Sequence, residues 1–338
     1  MPEGLLPEGW TLALLVVLVL AVAFDYINGF HDTANAIATS VSTRALAPQW
    51  AIGMSAVANF TGALIGTEVA KTVGSGLIDT NVESQTVIAA ALVGAITWNL
   101  ITWRLAIPSS SSHALIGGLL GAALVSAGFG AWQVDGIVGK VLLPLVASPL
   151  IGFTLGLLFM ALLFNLFRRA HPARLNAGFR RLQVLSAAYM AFSHGSNDAQ
   201  KTMGIMTLAL VSAGIQSTFD PPLWVILTAA GAISLGTAAG GWRIIKTMGT
   251  KVVKLDPVHG FAAETTAASV IFTASHFGMP VSTTHIISSA IMGVGSSDRL
   301  KTVRWAVARS IVAAWVLTLP ASGFTAAVAY FVLRPIMG

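Results

Sequence analysis

The 338-residue chain is 55% hydrophobic and only 9% charged, with a formal net charge of +6 and no cysteine. Soluble domains carry about 25% charged residues, so this composition cannot coat a water-facing globule and argues against a soluble enzyme or binding module. Without cysteine there is neither a disulfide nor a thiolate metal site.

Apolar runs recur from end to end, each able to supply the roughly 20 helical residues that a bilayer crossing needs. An all-α polytopic membrane protein is predicted, with spans near 11–27, 48–66, 86–107, 113–130 and 136–167. A second set lies near 183–195, 202–217, 222–241, 258–278, 282–295 and 303–333. The first run, Thr11 to Phe24, reads as a retained helix and not as a signal peptide. No cation precedes it, and no small-residue cleavage site follows.

That run ends in "FDYINGFHDTANAIATS", where Asp25, Asn28, His31, Asp32 and Asn35 cluster. An ionised Asp deep in a bilayer costs several kcal/mol unless paired or hydrated. Gly29 is expected to let the helix unwind there and expose carbonyls to a cation beside Asp32. Glu68 and Glu83 lie nearer span ends and read as solvated, while Lys71 reads as a gate residue or an interfacial anchor.

After the third span comes "IPSSSSH", Ile107 to His113, followed at once by "ALIGGLLGAAL". Pro108 suits a first helical turn, and the serines suit an N-cap and the positions after it. A helix N-terminus offers free N–H groups and partial positive charge to an anion. The plainer alternative is an ordinary cap at the membrane surface, although a cap needs one hydroxyl and here there are four. The 136–167 and 303–333 runs exceed one crossing, and Pro144 and Pro149 are expected bend points in the first.

Arginines 168, 169, 174, 180 and 181 follow with no acid between them. Such a segment is expected to be a cytoplasmic connecting loop over 168–182. The N-terminal "MPEGLLPEGW" carries two glutamates and no cation, which places it, and with it the C-terminus, on the opposite side. Residues 1–167 hold 4 Lys/Arg against 8 Asp/Glu, whereas 168–338 hold 15 against 5. Orientation in a membrane accounts for these cations better than nucleic-acid binding does, so no nucleic-acid partner is expected. Trp50, Trp103, Trp224 and Trp305 read as interfacial anchors.

Beyond the arginines, "SHGSNDAQKTMG" offers Ser193, His194, Ser196, Asn197, Asp198 and Gln200. Glu264 is an acid within a later span, with Lys201, Lys246 or Lys251 as its expected partner. "MPVSTTH" then opens the last small-residue run. Three pairs recur in order: "GFHD" with "GSND", "KTVG" with "KTMG", and "PSSSSH" with "PVSTTH". The Gly-to-Pro separations are 79 and 85 residues. A duplication follows, and an odd number of crossings per half would insert the second copy upside down. The expected organisation is a first inverted repeat over 1–167 with a hairpin near 108–130. A second repeat over 183–338 has its hairpin near 280–297.

Hydroxyl and amide oxygens beside Asp suit Na⁺, whereas buried Asp or His suits a proton. His113 and His285 are candidate anion donors, proton carriers or packed histidines. A hydrolase built on Ser-x-x-His would not explain duplication of the motif. A passive anion channel is the remaining alternative of another class.

"NGFHDTANAIATSVSTRALAP", "FSHGSNDAQKTMGI" and "GMPVSTTHIISSAIMGVG" closely resemble the paired signatures of the PiT family of inorganic phosphate transporters. The resemblance spans Phe24 to about Gly295. It implies secondary active phosphate uptake coupled to H⁺ or Na⁺, in a fold of two inverted repeats of about five crossings with a re-entrant hairpin in each. By motif it implies coupling-ion roles for Asp32, Asp198, Asn35 and Asn197, with His31 beside them. Phosphate binding falls to Ser110, Ser111 and Ser112 with Ser282, Thr283 and Thr284. Glu264, His113 and His285 are candidates for proton transfer or gating. The resemblance further implies a homodimer in the inner (plasma) membrane, no organic cofactor, and a divalent metal carried with the phosphate. Sulfate is the rival substrate on the same fold. His31 stands where many members have Asn, and Lys201 occupies the second-repeat position equivalent to Asn35.

Overall fold

The computed structural model describes residues 9–79 and 84–337. Residues 1–8, with the N-terminal glutamates, and Glu83 lie outside them. The described residues are helical almost throughout, with one isolated bridge, Ile78 to Trp132, and no strand.

Helix α1 (Leu12–Ser42) opens at Thr11, whose hydroxyl accepts the Leu14 N–H at 3.1 Å. Its 31 residues make a rod about 46 Å long. It therefore carries the apolar run and the whole Asp25–Asn35 cluster in one piece. The unwinding expected at Gly29 does not occur. A Cβ at Gly29 would lie 2.2 Å from the Ile233 carbonyl oxygen, and one at Gly195 would lie 2.2 Å from that of Asn59. Both glycines allow two helix backbones to touch; neither bends its own helix.

Helices α2 (Pro48–Ala63) and α3 (Glu68–Ser75) precede α4 (Gln85–Arg104). A turn with Ala106 at φ +57° then leads through Pro108 to α5 (Ser111–Ala127). Because α4 and α5 pack on each other, they form a helical hairpin with its tip at 105–110. The expected hairpin over 108–130 covers only the second limb. Pro108 stands two residues before the cap Ser110, outside the helix and not in its first turn.

A short α6 (Val134–Ile137) runs through a π-helical turn, Val138–Leu142, into α7 (Leu143–Phe167). The wide turn falls just before Pro144, where the missing N–H already weakens α-helical bonding. Leu143, Leu150, Leu158, Leu162 and Leu166 all lie exposed on α7, the face a lipid-embedded helix presents. Among the described residues, four segments are long and apolar enough to cross a membrane: α1, α4, α6 with α7, and the last helix, Trp305–Met337.

The second half repeats this order. Helix α8 (Pro172–Ser212) is followed by α9 (Leu223–Ala239) and α10 (Trp242–Lys246), which continues as a π turn over Thr247–Lys251. Then come α11 (Pro257–His276), α12 (Thr283–Asp298) and α13 (Trp305–Met337). The arginine-rich segment expected as a loop over 168–182 is helical from Pro172, so only 168–171 connect α7 to α8. The separate spans expected at 183–195 and 202–217 are one 41-residue helix. The polar residues between them are buried within the protein, so the helix has no reason to break.

Two apolar cores flank this interior. Leu14, Leu18 and Phe24 of α1 join one core, and Ala34 and Ile37 join the other. Helix α8 does the same, with Met190 in the second core and Met203 in the first. The polar clusters of both helices lie at the seam between the cores. Trp103 turns its ring edge-on to Phe30 at 5.1 Å.

Candidate functional site

Four elements converge on the seam: the middles of α1 and α8, and the starts of α5 and α12. Each of the latter helices is capped in the same way. Ser110 Oγ accepts the His113 N–H, and Ser282 Oγ accepts the His285 N–H, both at 3.2 Å. The remaining first-turn N–H groups have no partner within their own helix. The two N-termini thus bring their partial positive charges to one interior point.

The next hydroxyls reach the aspartates. Ser111 Oγ donates to Asp32 Oδ2 at 2.9 Å and lies 2.5 Å from Asn28 Oδ1. Thr283 Oγ1 donates to Asp198 Oδ2, also at 2.9 Å. The third hydroxyls meet the opposite half. Asn35 Nδ2 donates to Thr284 Oγ1 at 2.9 Å, and Lys201 Nζ donates to Ser112 Oγ at 2.5 Å. Thr284 Oγ1 also lies 3.5 Å from Asp32 Oδ2. A shift of 166 positions carries Asp32 onto Asp198 and Asn35 onto Lys201. The same contacts are therefore made twice by matching positions.

The tips also touch one another. Ser112 Oγ donates to the Val281 carbonyl at 3.3 Å, and the His113 and His285 rings are 4.7 Å apart. His285 stacks on Trp315 at 4.0 Å, and neither of its ring nitrogens has a hydrogen-bond partner among the described residues. His285 is thus packed against an aromatic wall behind the tip.

Both aspartates have basic neighbours. His31 Nδ1 lies 2.6 Å from Asp32 Oδ1, and its Nε2 lies 3.2 Å from Thr102 Oγ1. Lys201 Nζ pairs with Asp198 Oδ1 and also donates to the Val281 carbonyl at 2.9 Å. Between the carboxylates stands His194, its Nε2 3.0 Å from Asp198 Oδ2 and 3.9 Å from Asp32 Oδ2. Its Nδ1 is fixed 3.0 Å from Asn59 Oδ1. Asp32, Asp198 and Lys201 are at most 2% exposed.

Asn197 turns away from the aspartates, donating to Ser275 Oγ at 2.8 Å and to the Met279 carbonyl at 3.2 Å. It steadies the approach to the second tip. Glu264 is also elsewhere. It accepts from Thr39, from Ser186 Oγ at 2.5 Å and from Gln183 Nε2 at 3.3 Å. Its expected lysine partner is replaced by these neutral donors, because Lys201 is engaged with Asp198 and Lys246 and Lys251 are exposed. Lys71, half-exposed on α3, pairs with Asp220 at 3.0 Å. Such surface pairs are worth about 0–1 kcal/mol.

The sequence named Asn28 and His194 only as members of the two polar clusters, and Asn59 was not among the candidates. The signal for Asn59 was a lone amide in the otherwise apolar "SAVANFTGALIG". Donor atoms of Asp32, His194 and Asp198 all lie within 4.8 Å of one another. Two carboxylates and an imidazole so placed form a set that a divalent metal accepts.

A model of the phosphate transporter family matches residues 28–326. A protein of Bacillus subtilis (strain 168), named as a probable low-affinity inorganic phosphate transporter, is 50% identical over 325 residues. The alignment covers 95% of this chain and 97% of that one. A protein of the same name from Rhizobium meliloti (strain 1021) is 50% identical over 320 residues, covering 94% and 96%. The solved structure of "the sodium-dependent phosphate transporter" superposes with a TM-score of 0.84 at 24% identity, covering 96% of this chain and 100% of that one. At that identity the likeness bears on the fold.

Proposed function

The chain belongs to the phosphate transporter family, and on that premise we propose that it imports inorganic phosphate by symport with a cation. It is an integral membrane protein and a transporter, not an enzyme. In this reading phosphate lies between the two hairpin tips, held by Ser110, Ser111, Ser112, Ser282, Thr283 and Thr284 and by the free N–H groups beside them. The coupling cation sits at the Asp32–Asp198 pair.

One observation carries the proposal: the matched bonds from Ser111 to Asp32 and from Thr283 to Asp198. Hydroxyls that serve the anion are one hydrogen bond from a carboxylate. An anion on those hydroxyls stands about 5 Å from each carboxylate, where like unit charges repel by about 3 kcal/mol at an effective dielectric of 20. A cation delivered to the carboxylates removes this repulsion. Phosphate and cation therefore bind well only together, which is the physical content of symport.

A proton is favoured over Na⁺ because imidazoles already adjoin both carboxylates, at 2.6 Å for His31 and 3.0 Å for His194. The Asp32, His194 and Asp198 donor set supports a second reading, in which a divalent metal enters with the phosphate. The two halves act as inverted repeats whose tips meet at the seam, each tip belonging to a re-entrant hairpin. Rocking of one half against the other alternates access. The arginine-rich start of α8 faces the cytoplasm, with both termini outside and the protein a homodimer in the inner (plasma) membrane.

Uptake of labelled phosphate into proteoliposomes, with Na⁺ and pH gradients imposed separately, tests the proposal. Uphill accumulation under an inward proton gradient, resisted by excess sulfate, is expected. Flux that follows voltage alone, with no cation gradient required, overturns symport.

A further inference from the structure

We propose that Lys201 is a resident cation, permanently filling the position that a second coupling ion would take in a symmetric site. Its consequence is that this chain moves one fewer exchangeable cation with each phosphate than a site with Asn at both positions. The transport part of this inference rests on the symport reading. The binding part does not.

Three observations support it. Position 201 is the counterpart of Asn35, and both side chains reach the third hydroxyl of the opposite tip, Lys201 to Ser112 and Asn35 to Thr284. Where Asn35 offers a neutral amide, Lys201 brings a full charge. That charge is 2% exposed and surrounded by a carboxylate oxygen of Asp198, the Ser112 hydroxyl at 2.5 Å and the Val281 carbonyl at 2.9 Å. Carboxylate, hydroxyl and backbone carbonyl are the hard oxygen donors that an alkali or alkaline-earth cation collects. An ammonium is a compact point charge that suits the same set.

The third observation is connectivity. The oxygens around Lys201 Nζ come from α8, from the first tip and from the second tip, so one tethered charge joins all three. Asp32, on the other side, has no lysine or arginine beside it among the described residues, its basic neighbours being His31 and His194. Asp198 alone of the two is paired with a lysine that also reaches both tips.

The test compares wild type with Lys201→Asn, which supplies an oxygen without a charge, and Lys201→Met, which supplies neither. Purified full-length proteins are melted in NaCl and in KCl of equal ionic strength, and phosphate uptake and charge moved per phosphate are measured in proteoliposomes. Lys201→Asn is expected to gain a Na⁺-dependent rise in melting temperature that neither wild type nor Lys201→Met shows. Its phosphate uptake is expected to rise about tenfold with Na⁺, with one more cation moved per phosphate than in wild type. Equal Na⁺ responses in wild type and Lys201→Asn overturn the inference. So does a Lys201→Asn protein that stays unfolded in both salts, since the ammonium is then structural only. If no protein transports phosphate but Na⁺ stabilises Lys201→Asn alone, the resident cation stands and the symport reading falls.

Discussion

Ser111 and Asp32 are 79 positions apart in sequence and share a hydrogen bond of 2.9 Å. The bond joins a hairpin tip to the middle of α1, and its counterpart joins Thr283 to Asp198. Ser111→Ala removes a donor from the proposed phosphate site and from the Asp32 carboxylate. Hydrogen bonds to charged groups are worth about 1.5–3 kcal/mol, so apparent phosphate affinity should fall by about 10- to 100-fold. Thr283→Ala should behave alike. Uptake measured against phosphate concentration gives the value, and unchanged KM in both variants would remove the tips from the binding site.

The two aspartates should differ when neutralised. Asp32→Asn and Asp198→Asn are both expected to abolish ion-driven accumulation. Asp198→Asn also strips the carboxylate from Lys201, an ammonium that is almost fully buried. Breaking a buried ion pair from one side costs about 3–5 kcal/mol. Asp32→Asn strips no buried lysine of its carboxylate, so its cost is smaller. Thermal melts should rank Asp198→Asn well below Asp32→Asn, and Asp198→Asn combined with Lys201→Met should recover most of the loss. Equal melting of the two single variants would mean that Lys201 does not depend on Asp198.

The paired motifs and both tips were legible because each sets hydroxyls or carboxylates in a strongly apolar chain, twice and in order. Helix continuity was not. A hydropathy reading places polar residues at span ends, yet Asp25 to Asn35 and Ser193 to Lys201 lie mid-helix, where Asp32, Asn35, Asp198 and Lys201 find partners at the starts of α5 and α12. Nor does a glycine reveal whether it bends its own helix or admits another backbone, as Gly29 and Gly195 do. The substitution at Lys201 was visible, but its contact with Ser112 exists only once the halves are packed. Glu264 drew a lysine by charge alone, whereas folding gave it hydroxyl and amide partners.

Those partners make Glu264 testable. It ties α11 to α1 and α8 by accepting from Thr39, Gln183 and Ser186. Glu264→Gln keeps an acceptor oxygen, and Ser186 can turn its hydroxyl to the Gln183 carbonyl, already 3.2 Å away. This variant should melt near wild type. Glu264→Ala strands three donors, at about 1–3 kcal/mol for each that stays buried and unpaired, and should melt far lower. If Glu264 also carries a proton or gates the path, Glu264→Gln will be stable but slow in uptake. Wild-type uptake would assign it to packing alone.

Helices α11 and α12 are tied together by His259, at the start of the first and the end of the second. Its Nδ1 lies 2.7 Å from Asp256, the cap of α11, and its Nε2 lies 3.1 Å from Asp298, the last residue of α12. Partial burial acts to raise the Asp256 pKa, but hydrogen bonds from the His259 ring and from the His259 and Val258 N–H groups prevail. They hold it below the ordinary value of 3.8. A carboxylate depressed in the folded state stabilises fully above its unfolded pKa, and that contribution is lost as pH falls through the lower folded value. Wild type should therefore melt above Asp256→Asn at neutral pH, and the gap should close only below about pH 4. Asp256 is 46% exposed, so solvent screening keeps the effect modest. A gap that stays constant into acid would show that the cap works as a neutral hydrogen bond, with its charge contributing nothing to the clamp.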